Sequence, residues 1–145
     1  MKAIRFYEPG GIDKLKFEEI REPLYKPHQV LVKVKASALN HLDLWILGGL
    51  KSYGTEYPHI PGCDVAGEIA EVGSDVHHLK KGQRVIINPL IWCGSCEDCL
   101  SGNANLCSQR TIFGAGIDGG FAEYVRADAK NIIPIPDIIP WDEAA

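Results

Sequence analysis

The 145-residue chain has no apolar run approaching the roughly 20 residues that a membrane-spanning helix requires. No membrane partner is therefore expected. No secretory hydrophobic segment follows Met1–Arg5, where the chain runs straight into alternating sequence, and the expected location is cytoplasmic. No basic run is longer than Lys80–Lys81, and fifteen Lys and Arg against nineteen Asp and Glu leave a net charge of −4. Phosphate attraction needs a basic patch, so no nucleic-acid partner is expected. Internal repeats are absent. So is the pairing of low hydrophobicity with high charge that marks a disordered chain, since 46% of residues are hydrophobic.

What is present is rich in turns, with fifteen glycines and nine prolines. The length suits one domain that can bury a core without disulfide staples. Alternation predicts strands over 2–7, 15–20, 65–72, 84–88, 121–125 and 132–133. The clearest strand is 29–38, with Val30, Val32, Val34 and Ala36 on one face and Lys33 and Lys35 on the other. Asn40 followed by Asp43 resembles a capping box, and Leu42, Trp45 and Ile46 recur at helical spacing before Gly48 and Gly49 stop the run. Pro140 to Ala145 reads as the first turn of another helix. Many short strands between turns make the fold mainly β, a barrel or sandwich with short helices.

Five cysteines are the most informative count. Cys93, Cys96, Cys99 and Cys107 cluster, whereas Cys63 stands alone. Clustered pairs without a signal peptide favour metal over disulfides. Zinc takes four thiolates in a tetrahedron and leaves no position for water, so such a site is structural. An iron–sulfur cluster also uses four thiolates, but nothing in the sequence gives it an electron-transfer context. The surrounding segment has few apolar residues, so metal replaces a core there. Loaded with zinc, the domain would carry roughly −6.

Gly114, Gly116 and Gly119 match G-x-G-x-x-G. A dinucleotide fingerprint needs a helix next, whereas Gly120 to Val125 alternate like a strand. The expected role is a glycine-rich turn between strands.

Several segments together are similar to one family. The spacing from Cys93 to Cys107 resembles the structural-zinc lobe of zinc-containing medium-chain alcohol dehydrogenases. Pro61 to Gly67, Gly73, Gly82 to Val85 and Gly119 to Tyr124 resemble its other landmarks in the same order. The resemblance implies a GroES-like catalytic domain over 1–145: a partly open barrel with short helices and a structural-zinc lobe at 92–108. It implies a Rossmann domain beyond it that binds NAD(P), so the 145 residues alone are expected to be inactive.

The family's catalytic zinc starts with Cys, followed by His or Arg, Ser or Thr, and Asp. Here that stretch is Asn40, His41, Leu42 and Asp43. The second ligand, a His in a Gly-His-Glu run, is replaced in Gly62-Cys63-Asp64. The resemblance therefore implies structural zinc without catalytic zinc. The rearranged alternative is a metal on Cys63 and Asp64 with a ligand from elsewhere. It implies that His41 approaches the cofactor pyrophosphate, that Asp43 orients the site or caps the helix, and that Asn40 and Asp64 line the cleft. A satisfied helix-start histidine and a small buried thiol are the plainer readings of His41 and Cys63. Trp45 and Tyr53 are candidates for a pocket wall or for packing, and His77 and His78 for a solvated turn.

The function expected is hydride transfer between NAD(P) and an alcohol, carbonyl or enone, on a small-molecule substrate, in a protein that is a homo-oligomer when full length. The quinone or enone reductase branch is one alternative. A zinc-stabilised GroES-like binding module, as in a cochaperonin ring, is another, and a zinc-ribbon nucleic-acid binder is opposed by the acidic balance.

Overall fold

In the computed structural model, which describes residues 1–145, the longest strand is the one with the longest alternation, β3 (Gln29–Ala38). Val30, Leu31 and Val32 are buried along it while Lys33 and Lys35 face water. Eight further strands surround it: β1 (Lys2–Arg5), β2 (Lys16–Glu19), β4 (Asp64–Val72), β5 (Arg84–Ile87), β6 (Leu90–Ile91), β7 (Thr111–Ile112), β8 (Tyr124–Asp128) and β9 (Ile132–Pro134). The helices are short: α1 (His41–Leu47), α2 (Glu97–Leu100) and α3 (Trp141–Ala144). The mainly β architecture with short helices is thus borne out. No helix is long and apolar enough to cross a membrane.

The principal sheet has the order β8-β3-β4-β5-β9, antiparallel throughout. Two register shifts between β3 and β4, at Leu31/Val32 and Val34/Ala36, bend the sheet toward a barrel. Gly67 sits at the second bend, opposite Val34, where a Cβ would lie 2.4 Å from the Lys33 carbonyl oxygen. The strand therefore runs unbroken through Gly67 because only glycine lets the two backbones meet. Proline-ended β9 lies at an edge, where a missing N–H costs no ladder bond. Val30, Val32, Val65, Ile69, Val85, Phe113 and Val125 close the concave face as one core. Each buried aliphatic of this kind contributes roughly 1.5–3 kcal/mol.

A smaller core of Phe6, Ile46, Leu47 and Ala115 seats α1 against the barrel. The burial of α1 differs from its apolar spacing. Asp43, Ile46 and Leu47 point inward, whereas Trp45 is 56% exposed. The helix is rotated because the Asp43 carboxylate has partners inside. Strand boundaries also shift. The first strand ends at Arg5, since Phe6 forms an isolated bridge with His59. β5 stops at Ile87. The expected 121–125 strand begins at Tyr124 because Phe121 and Ala122 serve the N-terminal hairpin instead. His77 and His78 are exposed on a turn, as expected.

Candidate functional site

The four clustered cysteines converge. All four Sγ atoms lie within 4.8 Å of one another. Cys93 and Cys99 are 3.8 Å apart, Cys96 and Cys99 3.4 Å, and Cys93 and Cys107 3.6 Å. Zn–S bonds of about 2.3 Å in a tetrahedron place sulfurs about 3.8 Å apart. The donor set therefore fits one zinc ion, and leaves no room for the body of a multi-iron cluster. Gly94, at φ +79°, makes the tight turn between Cys93 and Cys96. Cys99 lies on α2, and a 3-10 turn over Ala104–Leu106 delivers the buried Cys107.

Backbone N–H groups of Ser95 and Cys96 each point at the Cys93 sulfur at 3.4 Å. They favour its thiolate and lower its pKa to about 5. Loss of water contact pushes Cys99 up to about 12. The lobe is closed at its base by β6 and β7, which pair Leu90 with Ile112 and Ile91 with Thr111.

A second constellation lies at the start of α1. Asn40 Oδ1 accepts the Leu42 N–H at 3.1 Å, and Asp43 Oδ2 accepts the Asn40 N–H at 2.8 Å, completing the capping box. Asp43 Oδ1 accepts the Gly62 N–H at 2.9 Å. Burial raises the Asp43 pKa, and the two backbone donors oppose that shift. Asn40 Nδ2 donates to Asp64 Oδ2 at 3.0 Å, and the Cys63 Sγ lies 3.6 Å from the same oxygen. Burial, then the Asp64 and Asp43 carboxylates, hold Cys63 as a thiol up to about 12.

The structure thus gathers Asn40, Asp43, Cys63 and Asp64. His41 stands beside them with its ring 5.0 Å from that of Trp45, and both side chains are exposed. Tyr53 packs against the small core. A cavity of about 450 Å³ lies elsewhere, between the N-terminal hairpin and β8, and none of these residues lines it.

The glycine-rich turn braces this site. Gly119 N–H donates to Ile60 O at 2.7 Å and Gly120 N–H to Gly62 O at 2.8 Å. No helix comes after it before β8, so Gly114, Gly116 and Gly119 form the turn between strands that the alternation implied. Two buried polar residues were not anticipated from sequence, His59 and Asn131, both 2% exposed. His59 Nε2 lies 2.9 Å from Gly114 O. Partners so distant in sequence leave no local signal.

Residues 26–137 match the family profile of the alcohol dehydrogenase GroES-like domain. The chain belongs to that family. An alcohol dehydrogenase of Geobacillus stearothermophilus is 41% identical to this GroES-like domain over 133 residues, covering 90% of this chain and 39% of the relative. The crystal structure of an NAD-dependent alcohol dehydrogenase superposes on it with a TM-score of 0.95 and 38% identity, covering 99% of this chain and 42% of that one. A cobalt- and zinc-bound thermostable alcohol dehydrogenase from Pyrobaculum aerophilum gives a TM-score of 0.91 at 34% identity, covering 99% and 43%. The GroES-like chain therefore spans about two fifths of the length of these relatives.

Proposed function

We propose that residues 1–145 are the GroES-like catalytic domain of an NAD(P)-dependent oxidoreductase, with a structural-zinc lobe at 92–108 and no catalytic zinc. The complete protein moves a hydride between NAD(P), held by a Rossmann domain outside these residues, and a small alcohol, carbonyl or enone. Its relatives' activities, and the span of this chain along them, support that reading. Homo-oligomeric assembly in the cytoplasm accompanies it by resemblance to the family.

One observation carries the absence of a catalytic metal. The only side-chain acceptor atom of Asn40, Oδ1, is already engaged by the Leu42 N–H, and its amide nitrogen donates to Asp64. A neutral amide oxygen is a weak zinc donor, and this one already accepts the bond that caps α1. Of the family's two ligand slots within this chain only the second, Cys63, offers a soft donor. The residues present do not fit a catalytic zinc.

The protein groups then bind and orient. Asn40 Nδ2 has a second N–H with no protein partner, available to a substrate oxygen that gains negative charge during hydride transfer. Asp64 and the Asp43–Gly62 bond fix where that N–H points. His41, exposed at the helix start, meets the cofactor pyrophosphate in this reading, as the resemblance to the family implies. Leu42 packs against the small core and has no hydroxyl to relay a proton to or from an alcohol oxygen, which favours the enone branch, where the proton goes to carbon.

Zinc per chain on a polypeptide extended through the cofactor domain tests this. One zinc is expected, together with NAD(P)H oxidation that the 145 residues alone do not perform. Two zincs, or turnover by the isolated domain, would overturn the proposal.

A further inference from the structure

The strand leading into the metal lobe presents its carbonyls at 88, 90 and 92 to one side, and two side chains receive all three. Asn131 Nδ2 donates to Asn88 O at 2.8 Å and to Leu90 O at 2.6 Å. Lys130 Nζ donates to Trp92 O. The Asn88 N–H returns a bond to Asn131 O at 2.8 Å. The 3-10 turn over Ala129–Asn131 thus does for this segment what a neighbouring strand does elsewhere. It is firmly seated, because Ala129 and Asn131 are both buried.

Lys130 reaches furthest. Its Nζ lies 4.9 Å above the Trp92 ring and 3.8 Å from where a Cβ on Gly94 would stand. Trp92 and Gly94 flank the first cysteine, Cys93. The exposed ammonium therefore lies beside the residue whose sulfur receives the Ser95 and Cys96 N–H groups.

Charge gives this placement a purpose. Between Trp92 and Arg110 the only charged side chains are Glu97, Asp98 and Arg110. Four thiolates on one Zn²⁺ add a net 2−. The loaded lobe is then strongly anionic, with a single cation of its own, Arg110, whose Nη1 donates to Cys107 O at 3.3 Å. Lys130 supplies the missing positive charge from the barrel. Partners outside the ligand sphere commonly tune metal retention in this way.

We propose that Lys130 is a positioning residue for the metal lobe, which holds the Trp92–Gly94 segment in its ligating conformation and offsets the charge of the zinc-loaded cysteines. The proposal rests on those cysteines holding zinc. The test loads the wild-type chain, Lys130→Met and Lys130→Arg with zinc and follows transfer of the ion to a chromogenic chelator, at low salt and at high salt. Lys130→Met keeps the apolar stem and removes the charge. It is expected to release zinc ~10-fold faster than wild type at low salt, with the gap narrowing at high salt as the charge is screened. Lys130→Arg is expected to restore slow release, and the unfolding midpoint of the barrel is expected to stay constant across all three. Release from Lys130→Met at the wild-type rate, or from Lys130→Arg as fast as from Lys130→Met, would overturn the proposal. A wild-type chain that takes up no zinc would instead defeat the reading beneath it.

Discussion

Asp43 accepts the Gly62 N–H at 2.9 Å, and so ties helix α1 to the loop that presents Cys63 and Asp64. Gly62 has φ +103°, a conformation that L side chains rarely adopt, and a Cβ there would also collide with Phe121 at 2.6 Å. One carboxylate thus caps a helix with Oδ2 and fixes a left-handed loop residue with Oδ1. Substituting Asp43→Ala strands both backbone donors. The expected loss is about 2 kcal/mol of stability, read from the denaturant midpoint. Faster hydrogen exchange at Gly62 should accompany it, and a midpoint equal to wild type would contradict the assignment.

Much of this was legible in the sequence, for local reasons. The alternation of β3, the capping signals at Asn40 and Asp43 and the cysteine spacing all encode structure within a few residues of themselves. Trp45 was misleading because helical spacing marks an apolar stripe but not which way the helix turns. The polar anchor at Asp43 settled that through Gly62, nineteen positions away. β6 and β7 are two-residue pairings whose register comes from closing the lobe, so alternation could not reveal them. Lys130 and Asn131 act on carbonyls about forty residues distant, and neither residue type announces such a role.

Cys63 gives a pH dependence. Its folded pKa is raised from 9.0 to about 12, chiefly by burial and then by the neighbouring carboxylates. The fold therefore favours the protonated thiol. That contribution is fully present below pH 9 and is lost as pH rises from 9 toward 12, because the unfolded chain ionises first. Wild type should lose stability faster than Cys63→Ala across this window. Parallel profiles for the two proteins would refute it. Iodoacetamide should also modify Cys63 slowly at neutral pH.

Removing zinc should act locally. Cys99→Ser, or treatment with a strong chelator, is expected to abolish zinc binding and open residues 92–110 to protease. The core around Phe113 and Val85 should persist, since it packs independently of the lobe. Equal zinc content in the variant and wild type would sink this expectation.

Gly119 provides a steric test of the glycine-rich turn. A Cβ there would sit 2.3 Å from Gly62 O and 2.6 Å from the Gly114 Cα, both backbone atoms that cannot rotate away. Gly119→Ala should cost about 1–3 kcal/mol of stability, measured by thermal or denaturant unfolding. A neutral substitution would show that the two loops do not approach as closely as the structure places them.

The pairing of Leu90 with Ile112 and Ile91 with Thr111 brings both ends of the cysteine lobe back to the same spot on the barrel. The lobe is therefore a graft on a hairpin stem. A short turn from Ile91 to Thr111 would close that stem and leave the order β8-β3-β4-β5-β9 intact. Dependence on metal belongs to the graft, and the scaffold that bears it can gain or shed that dependence without being redrawn.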